Sequence, residues 1–266
     1  MKFTLILTLI SLQFLIFVQQ SLAASSETVS AYAAPQLKEP VDSKADWPSP
    51  VMDSENFGLV LFDLLEYDSR DSGLLTWDFV GWRGGDVNRL WIKSEGTQEF
   101  TSQKSGEADL QLLYGKLVTP FFDAQIGARV EQTWGDKKAS RVSAVLGIQG
   151  LALYLFELEA AVFVAEAGHL AGRLTASKDF YFTQRFILQP RFETNAASLR
   201  SENFETGSGF SDLELGLRLR YEIKREVAPY IGVNWKNLFG ETADFSTRAG
   251  RKISEWNAVA GIRLWY

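Results

Sequence analysis

The most constraining feature of this sequence is a regular alternation of apolar and polar residues, which is clearest in the stretch from Ser211 to Ile223. One parity carries Leu213, Leu215, Leu217, Leu219 and Tyr221, and the other carries Asp212, Glu214, Arg218, Arg220 and Glu222. A period of two predicts a β-strand with one apolar and one polar face. Such a strand fits a soluble sandwich, where the leucines would face a protein core, or a membrane barrel, where they would face lipid.

The alternation continues from Phe57 to the end of the chain. It predicts twelve strands, at 57–67, 74–83, 87–96, 106–118, 121–134, 140–151, 153–166, 170–179, 184–196, 210–222, 227–238 and 253–266. Most of them are long enough to cross a bilayer at a tilt, which takes about nine to eleven residues. The connections are alternately short and mostly long, as in bacterial outer-membrane barrels. We therefore predict an all-β protein: a transmembrane antiparallel up-and-down β-barrel of twelve strands with both termini in the periplasm.

Aromatic residues on the apolar parity support the barrel over the sandwich. Trp77, Trp134, Trp235 and Trp256 fall beside the long loops, and Phe122, Tyr154, Tyr221 and Tyr266 fall beside the short turns. Two aromatic belts separated by aliphatic residues match the two headgroup regions of a bilayer. The leucines are therefore predicted to face lipid. Pro190 removes a backbone donor from the middle of a strand, and we expect a bulge there.

The first residues predict export. Lys2 precedes an apolar run that ends at small residues, which is typical of a secretory signal peptide spanning residues 1–23 and cleaved near Ala23. Four of the seven prolines fall in the following segment, 24–56, which predicts a flexible periplasmic tail. The barrel is then residues 57–266, in the outer membrane of a Gram-negative cell.

Composition excludes several classes of protein. The formal charge is −6 and no basic cluster is present, which argues against nucleic-acid binding. Cysteine is absent, so the chain forms no disulfides. After the predicted signal peptide, no run of consecutive apolar residues approaches the length of a transmembrane helix.

The polar parity places charges of both signs inside the predicted barrel. The predicted lumen charge network consists of Arg129, Glu131, Arg191, Glu193, Arg218 and Arg220. Two interpretations remain open at this point. The charges can form a packed core that holds the barrel shut, or a narrow polar pathway can follow the carboxylates of Glu157, Glu159, Asp212 and Glu214.

An outer-membrane enzyme is the alternative from a different class. Acyl transfer needs a nucleophile, a base and an orienting group. The chain has one histidine, His169, and no cysteine, and no serine lies in a recognisable nucleophile motif. Glu157 and Glu159 share a strand face and form the one candidate acid pair. We therefore predict a non-enzymatic barrel and rank the enzyme third.

Several blocks resemble the copper resistance protein B family of outer-membrane proteins. They are "FGLVLFDLLEYD" (57–68), "GGDVNRLWIKSEG" (84–96), "GEADLQLLYGKLVTPFFDAQIGAR" (106–129), "ILQPRFETN" (187–195), "SDLELGLRLRYEIKREVAPYIGVNW" (211–235) and "VAGIRLWY" (259–266). The resemblance implies a barrel that acts in copper homeostasis, by sequestering copper or exporting it across the outer membrane. It also implies outer-membrane lipid and a periplasmic multicopper oxidase as partners. The C-terminal Tyr266 resembles the signal that the barrel assembly machinery binds.

The chain departs from that family in its metal ligands. Members often carry an N-terminal segment rich in Met, His and Asp, whereas segment 24–56 offers only Met52. Copper(I) prefers thiolate and thioether ligands, so copper as a bound ion follows from the resemblance and not from the residues. The alternative function is a general or other-metal channel. The predicted metal ligands are the lumen carboxylates Glu157, Glu159, Asp212 and Glu214, together with Met52.

Overall fold

The computed structural model describes residues 56–69, 73–100, 105–135 and 138–266. The predicted signal peptide and almost all of the predicted tail, including Met52, lie outside the described residues. Within these ranges the strands are β1 (Phe57–Asp68), β2 (Leu74–Gly84), β3 (Asn88–Glu99), β4 (Gly106–Thr119), β5 (Phe122–Trp134), β6 (Ala139–Ala152), β7 (Phe156–Ala165), β8 (Leu170–Ser177), β9 (Phe180–Tyr181), β10 (Phe186–Ala197), β11 (Gly209–Tyr221), β12 (Val227–Leu238) and β13 (Ser254–Trp265). One α-helix, α1, spans Gly240–Arg248, and short 3-10 turns lie at Leu153–Leu155 and Glu166–Gly168.

These strands form one closed antiparallel barrel. Consecutive strands pair along the chain, and β1 pairs with β13 to close the sheet. The two-residue β9 continues the line of β8, since both pair with β10, so the wall contains twelve strand positions. The predicted twelve-stranded barrel is confirmed, and the predicted bounds agree with the observed ones to within about three residues.

The leucines that opened the sequence analysis lie on the outside. Leu215, Leu217 and Leu219 of β11 are exposed, whereas Arg218 and Arg220 on the same strand are buried. In a soluble sandwich the apolar face would be the buried one. The observed arrangement is that of a barrel whose outer surface is solvated by lipid and whose polar face points inward. The prediction that the apolar parity faces lipid and the polar parity faces the lumen is confirmed.

Pro190 does not produce the predicted bulge. On one side of Pro190, β10 pairs Arg191 with Ser177 of β8. On the other side it pairs Leu188 with Phe180 of β9, in the same register. Because proline has no N–H, the ladder is interrupted there without an inserted residue. The Lys178 N–H still donates to the Pro190 carbonyl at 3.2 Å, so the prediction of a bulge is wrong and a two-residue gap takes its place.

A bulge occurs instead in β1, where none was predicted. The register between β1 and β2 shifts between Phe62 and Leu64. Before the shift, Val60 faces outward and is exposed. After it, Glu66 and Asp68, which share Val60's parity, are buried at 3% and 2% exposure. The bulge therefore turns two carboxylates from the lipid face to the lumen.

Aromatic side chains pair on the outer face at both ends of the barrel. The rings of Trp235 and Trp256 lie 6.0 Å apart near the end that carries the long loops, which we call the long-loop end. Phe186 and Tyr221 lie 4.8 Å apart near the opposite, short-turn end. Such rings suit the headgroup regions at the two surfaces of the bilayer.

The described residues include no helix that is long and apolar enough to cross a membrane.

Two long loops pack together at the long-loop end. The Gly207 N–H donates to Thr242 Oγ1 of α1 at 2.8 Å, and the Ser208 N–H and hydroxyl both donate to Glu241 at 2.9 Å. These hydrogen bonds lower the pKa of Glu241 because they favour its charged form. The guanidinium of Arg141 on β6 lies 4.2 Å from the centre of the Phe204 ring. Loop 198–208, which follows β10, therefore reaches across to β6 and covers part of the mouth.

Loop length predicts the orientation of the barrel in the membrane, because bacterial barrels keep short turns in the periplasm and long loops outside the cell. We expect a cysteine introduced at exposed Asn203, in loop 198–208, to react with an impermeant maleimide on intact cells. A cysteine at exposed Lys224, in the β11–β12 turn, should react only after the cells are opened. The unaltered chain, which has no cysteine, is the blank. Reaction at Lys224 but not at Asn203 would mean that the barrel has the opposite orientation.

Candidate functional site

The lumen is crossed by ion pairs between strands that are not neighbours, which we call the cross-lumen bridges. They join Lys93 to Glu159, Arg173 to Glu95, and Arg191 to Asp78. Each bridge runs from the β1–β3 side of the wall to the β7–β10 side. The Lys93 Nζ to Glu159 Oε1 distance is 2.7 Å, and the Arg191 Nη2 to Asp78 Oδ2 distance is 3.0 Å. Side chains therefore span the interior of the barrel.

Two of these bridges belong to a larger cluster, the central network. Its members are the carboxylates of Asp63, Asp78, Glu95 and Glu193 and the guanidinium groups of Arg173, Arg191 and Arg263. Arg191 contacts Asp63 at 3.2 Å and Glu193 at 3.5 Å in addition to Asp78. Arg263 contacts Asp63 at 2.8 Å. Four carboxylates face three guanidinium groups, so the network carries one more negative charge than positive when all are ionised.

Part of the lumen wall is apolar, which the alternation did not predict. The inner faces of β3, β4, β6 and β7 contribute a buried cluster of Trp91, Leu113, Val145, Ala161 and Phe163. The Arg129 guanidinium lies 4.3 Å from the centre of the Phe163 ring and links this cluster to the charged groups. The interior is thus part apolar core and part ionic network, not a uniformly polar channel.

A buried clamp lies on the wall beside the seam where β1 and β13 close the barrel. Arg218 of β11 donates to both carboxylate oxygens of Glu66 of β1 at 2.9 Å. The Tyr230 hydroxyl of β12 donates to Glu66 at 3.2 Å. Two glycines make room, because a Cβ at Gly216 would lie 2.2 Å from Arg218 Nη1 and one at Gly261 would lie 2.6 Å from the Tyr230 ring. The clamp joins three strands around the closing seam.

The structure places all six residues of the predicted lumen charge network on the inner face. Arg129 contacts Glu131 at 3.2 Å, and Arg191 contacts Glu193. Arg218 and Arg220 have partners that the sequence analysis did not name, since Arg218 contacts Glu66 and Arg220 contacts Asp179 at 2.6 Å.

The four predicted metal-binding carboxylates do not come together. Glu157 and Glu159 lie at the start of β7, towards the short-turn end, and Asp212 and Glu214 lie at the start of β11, towards the long-loop end. Each has its own partner. Ser177 donates to Glu157, Lys93 to Glu159, Asn195 to Asp212, and Asn234 to Glu214. These residues remain a prediction for metal binding, and in the described residues they lie on two separate parts of the wall.

Within the described residues, no group of three or more His, Asp or Glu side chains is arranged to hold a metal ion. His169, in the turn between β7 and β8, has a buried Nε2 with no hydrogen-bond partner. Burial lowers its pKa, and the neighbouring Arg141 lowers it further, so both favour the neutral form of the ring. A neutral imidazole can bind copper. The Arg141 cation beside it opposes a second positive charge.

Comparison with known proteins settles the family. The family model described as "Copper resistance protein B precursor (CopB)" matches residues 56–266.

This chain belongs to the copper resistance protein B family.

Two relatives illustrate the match. The chain is 44% identical over 209 residues to Copper resistance protein B of Escherichia coli, which covers 78% of this chain and 69% of that protein. It is 40% identical over 217 residues to the Copper resistance protein B homolog of Pseudomonas syringae pv. tomato, covering 81% and 72% of the two chains. Among solved structures, it is similar to the KdgM porin, with a TM-score of 0.46, 12% identity and coverage of 78% and 98%.

The family resemblance drawn from the sequence blocks is therefore confirmed. Together with the closed barrel and its apolar outer face, it makes this chain a copper-resistance barrel of the outer membrane.

Proposed function

We propose that this family member protects cells against copper by sequestering the ion at the outer membrane or exporting it across that membrane. The family match over residues 56–266 carries this proposal. The barrel adds a constraint on mechanism. The cross-lumen bridges occupy part of the bore, and we infer that an ion does not pass by free diffusion along an open channel. Passage of copper through the lumen requires at least some of these ion pairs to separate.

The charge of the central network favours a cationic substrate. Asp63, Asp78, Glu95 and Glu193 outnumber the guanidinium groups that contact them. When an arginine moves away, the carboxylates that it leaves attract a cation in its place. The predicted pathway carboxylates Glu157, Glu159, Asp212 and Glu214 extend this acidic lining towards both ends of the barrel.

A second candidate is transport of a harder divalent metal, and the donor atoms favour it. Carboxylate oxygens line the lumen, whereas soft sulfur and imidazole donors are scarce in the chain, which has no cysteine, one histidine and two methionines. Oxygen donors suit Mg²⁺, Ca²⁺ and Mn²⁺ better than copper(I). Copper(II) is the copper species that this lining can accept.

Deleting the gene separates the two candidates. We expect the deletion strain to lose tolerance to copper and to regain it when the full chain is supplied in trans. Tolerance to manganese, zinc and nickel should be unchanged, because the family match concerns copper. The matched control is the same plasmid with an early stop codon. Unchanged copper tolerance, with altered tolerance to another of these metals, would replace copper by that metal as the physiological substrate.

A further inference from the structure

The tip of loop 198–208 is a small hairpin that covers part of the mouth at the long-loop end. Ser201 and Thr206 exchange two backbone hydrogen bonds, at 2.8 and 3.1 Å, and we call residues 201–206 the lid tip. Phe204 lies in this hairpin, and its ring receives the guanidinium of Arg141 from the inner face of β6. The loop leaves the wall between β10 and β11, so the lid tip reaches past β8 and β7 to meet β6.

The base of the loop is held separately, by α1. The N–H groups of Gly207 and Ser208 donate to side chains of α1, and a Cβ at Gly207 would lie 2.5 Å from the Cβ of Glu241. The next residue, Gly209, has φ of +93°, which glycine adopts without strain, and a Cβ there would meet nothing within 4 Å. The lid tip is therefore joined to β11 through a clasped base and a glycine with free space around it.

The lid tip is attached to the rest of the mouth through Phe204 and Glu205. Glu205 pairs with Arg251, which is 54% exposed, and exposed ion pairs contribute little to stability. The contact of Phe204 with Arg141 is a cation–π interaction beside the lumen wall, where it is better shielded from water. We call this contact the latch.

The position of Arg141 depends on one carboxylate. Its Nε and Nη2 both donate to Oε2 of Glu131, at 2.9 and 2.6 Å. Its Nη1 is buried and has no hydrogen-bond partner among the described residues. A group that repels this guanidinium, or that competes for Glu131, would therefore weaken the latch.

His169 lies under the start of the loop, next to that ion pair. It hydrogen-bonds to the backbone of Leu199, and its buried Nε2 has no partner in the part of the chain that the structure describes. The charged groups that act on the imidazole are Arg141 from β6 and Glu131 from β5, whereas Glu166 on its own turn is exposed. Burial and Arg141 lower the pKa of His169, so the closed loop favours the neutral ring.

We propose that loop 198–208 is a pH-sensitive lid, in which protonation of His169 releases Phe204 from Arg141 and lets the lid tip move away from β6. An imidazolium at this position would repel the guanidinium and compete with it for Glu131. Because the pKa of His169 in the closed loop lies below that of a free imidazole, which is about 6.5, acid favours the open loop. The closed lid is fully stable above that pH and loses stability as the pH falls below it. The lid concerns access to the mouth and does not depend on which ion the protein handles.

Distances between spin labels test the lid on the full chain, folded into lipid vesicles. Because the chain has no cysteine, labels can be placed at Asn203→Cys, exposed on the lid tip, and at Val142→Cys, exposed on the outer face of β6. We expect one short distance at about pH 7.5, and at about pH 5 a second, longer distance whose population has risen severalfold. The control pair Val142→Cys with Val233→Cys, on β6 and β12, should give the same distance at both pH values. A lid-tip distance that does not change in acid would overturn the proposal.

Two variants identify the sensor and the latch. His169→Gln keeps a hydrogen-bonding side chain but cannot take up a proton, so we expect the short distance at both pH values. Arg141→Gln removes the latch and should give the long distance at both, with heat-modifiable migration showing that the barrel is folded. An acid response that persists in His169→Gln would show that His169 is not the sensor. A lid tip that stays close to β6 in folded Arg141→Gln would show that the latch does not hold it.

Discussion

Replacing Arg218 with alanine should destabilise the barrel by about 3–5 kcal/mol, because it leaves the carboxylate of Glu66 buried without its cation. The two side chains are 3% and 4% exposed, so water cannot replace the lost contact easily. The pair also connects β1 to β11 around the seam that closes the sheet. Urea unfolding in detergent micelles, followed by tryptophan fluorescence, measures the change in the free energy of unfolding.

Two controls identify the cause of that loss. Lys252→Ala removes an ion pair in which the lysine is 69% exposed, and such pairs contribute about 0–1 kcal/mol. The double variant Glu66→Leu with Arg218→Met replaces both charges by apolar groups, and we expect it to recover most of the stability. If Arg218→Ala costs no more than Lys252→Ala, the clamp does not stabilise the barrel.

The fold could be predicted from the sequence because every strand of a membrane barrel repeats the same simple pattern. Alternation sets which face of each strand meets lipid, and strand length is set by the bilayer. What alternation cannot show is an inserted residue. The bulge near Phe62 reverses the faces of β1, and Glu66 and Asp68 became visible as lumen residues only in the structure. Pro190 suggested a bulge, but the missing N–H is accommodated by the two-residue gap between β8 and β9, without a change of register.

The site was less predictable because its contacts are distant in sequence. Alternation identifies Arg191 as an inward residue, but its partner Asp63 lies 128 positions away in the chain. That pairing depends on the tilt of the strands and the stagger of the sheet, which no local pattern contains. Lys93 and Glu95 did have a local signal, since they share the parity of Arg89 on β3, opposite Leu90 and Ile92. The apolar cluster in the lumen had none, because its members occupy polar-parity positions on several strands.

Removing both Arg173 and Arg191 should convert a closed barrel into a cation-preferring channel. For the unaltered chain we expect little or no conductance in planar bilayers, because the cross-lumen bridges fill the bore. The variant Arg173→Ala with Arg191→Ala deletes two of the side chains that cross it. Asp63, Asp78, Glu95 and Glu193 then line the widened passage with one remaining guanidinium, that of Arg263. Conductance should rise well above background, and the reversal potential in a KCl gradient should show preference for the cation.

A matched variant tests whether the conductance arises because side chains are cleared from the bore or only because the lumen loses a positive charge. Arg89→Ala removes a guanidinium that contacts Asp123 at 2.7 Å, two strands along the same side of the wall, so it clears no path across the bore. We expect it to stay closed. Heat-modifiable migration of each variant shows whether the barrel is folded before it is measured. A large, stable conductance of the unaltered chain would contradict closure by the bridges. A folded double variant that stays closed would locate the barrier instead at the mouth, where loop 198–208 and α1 pack together.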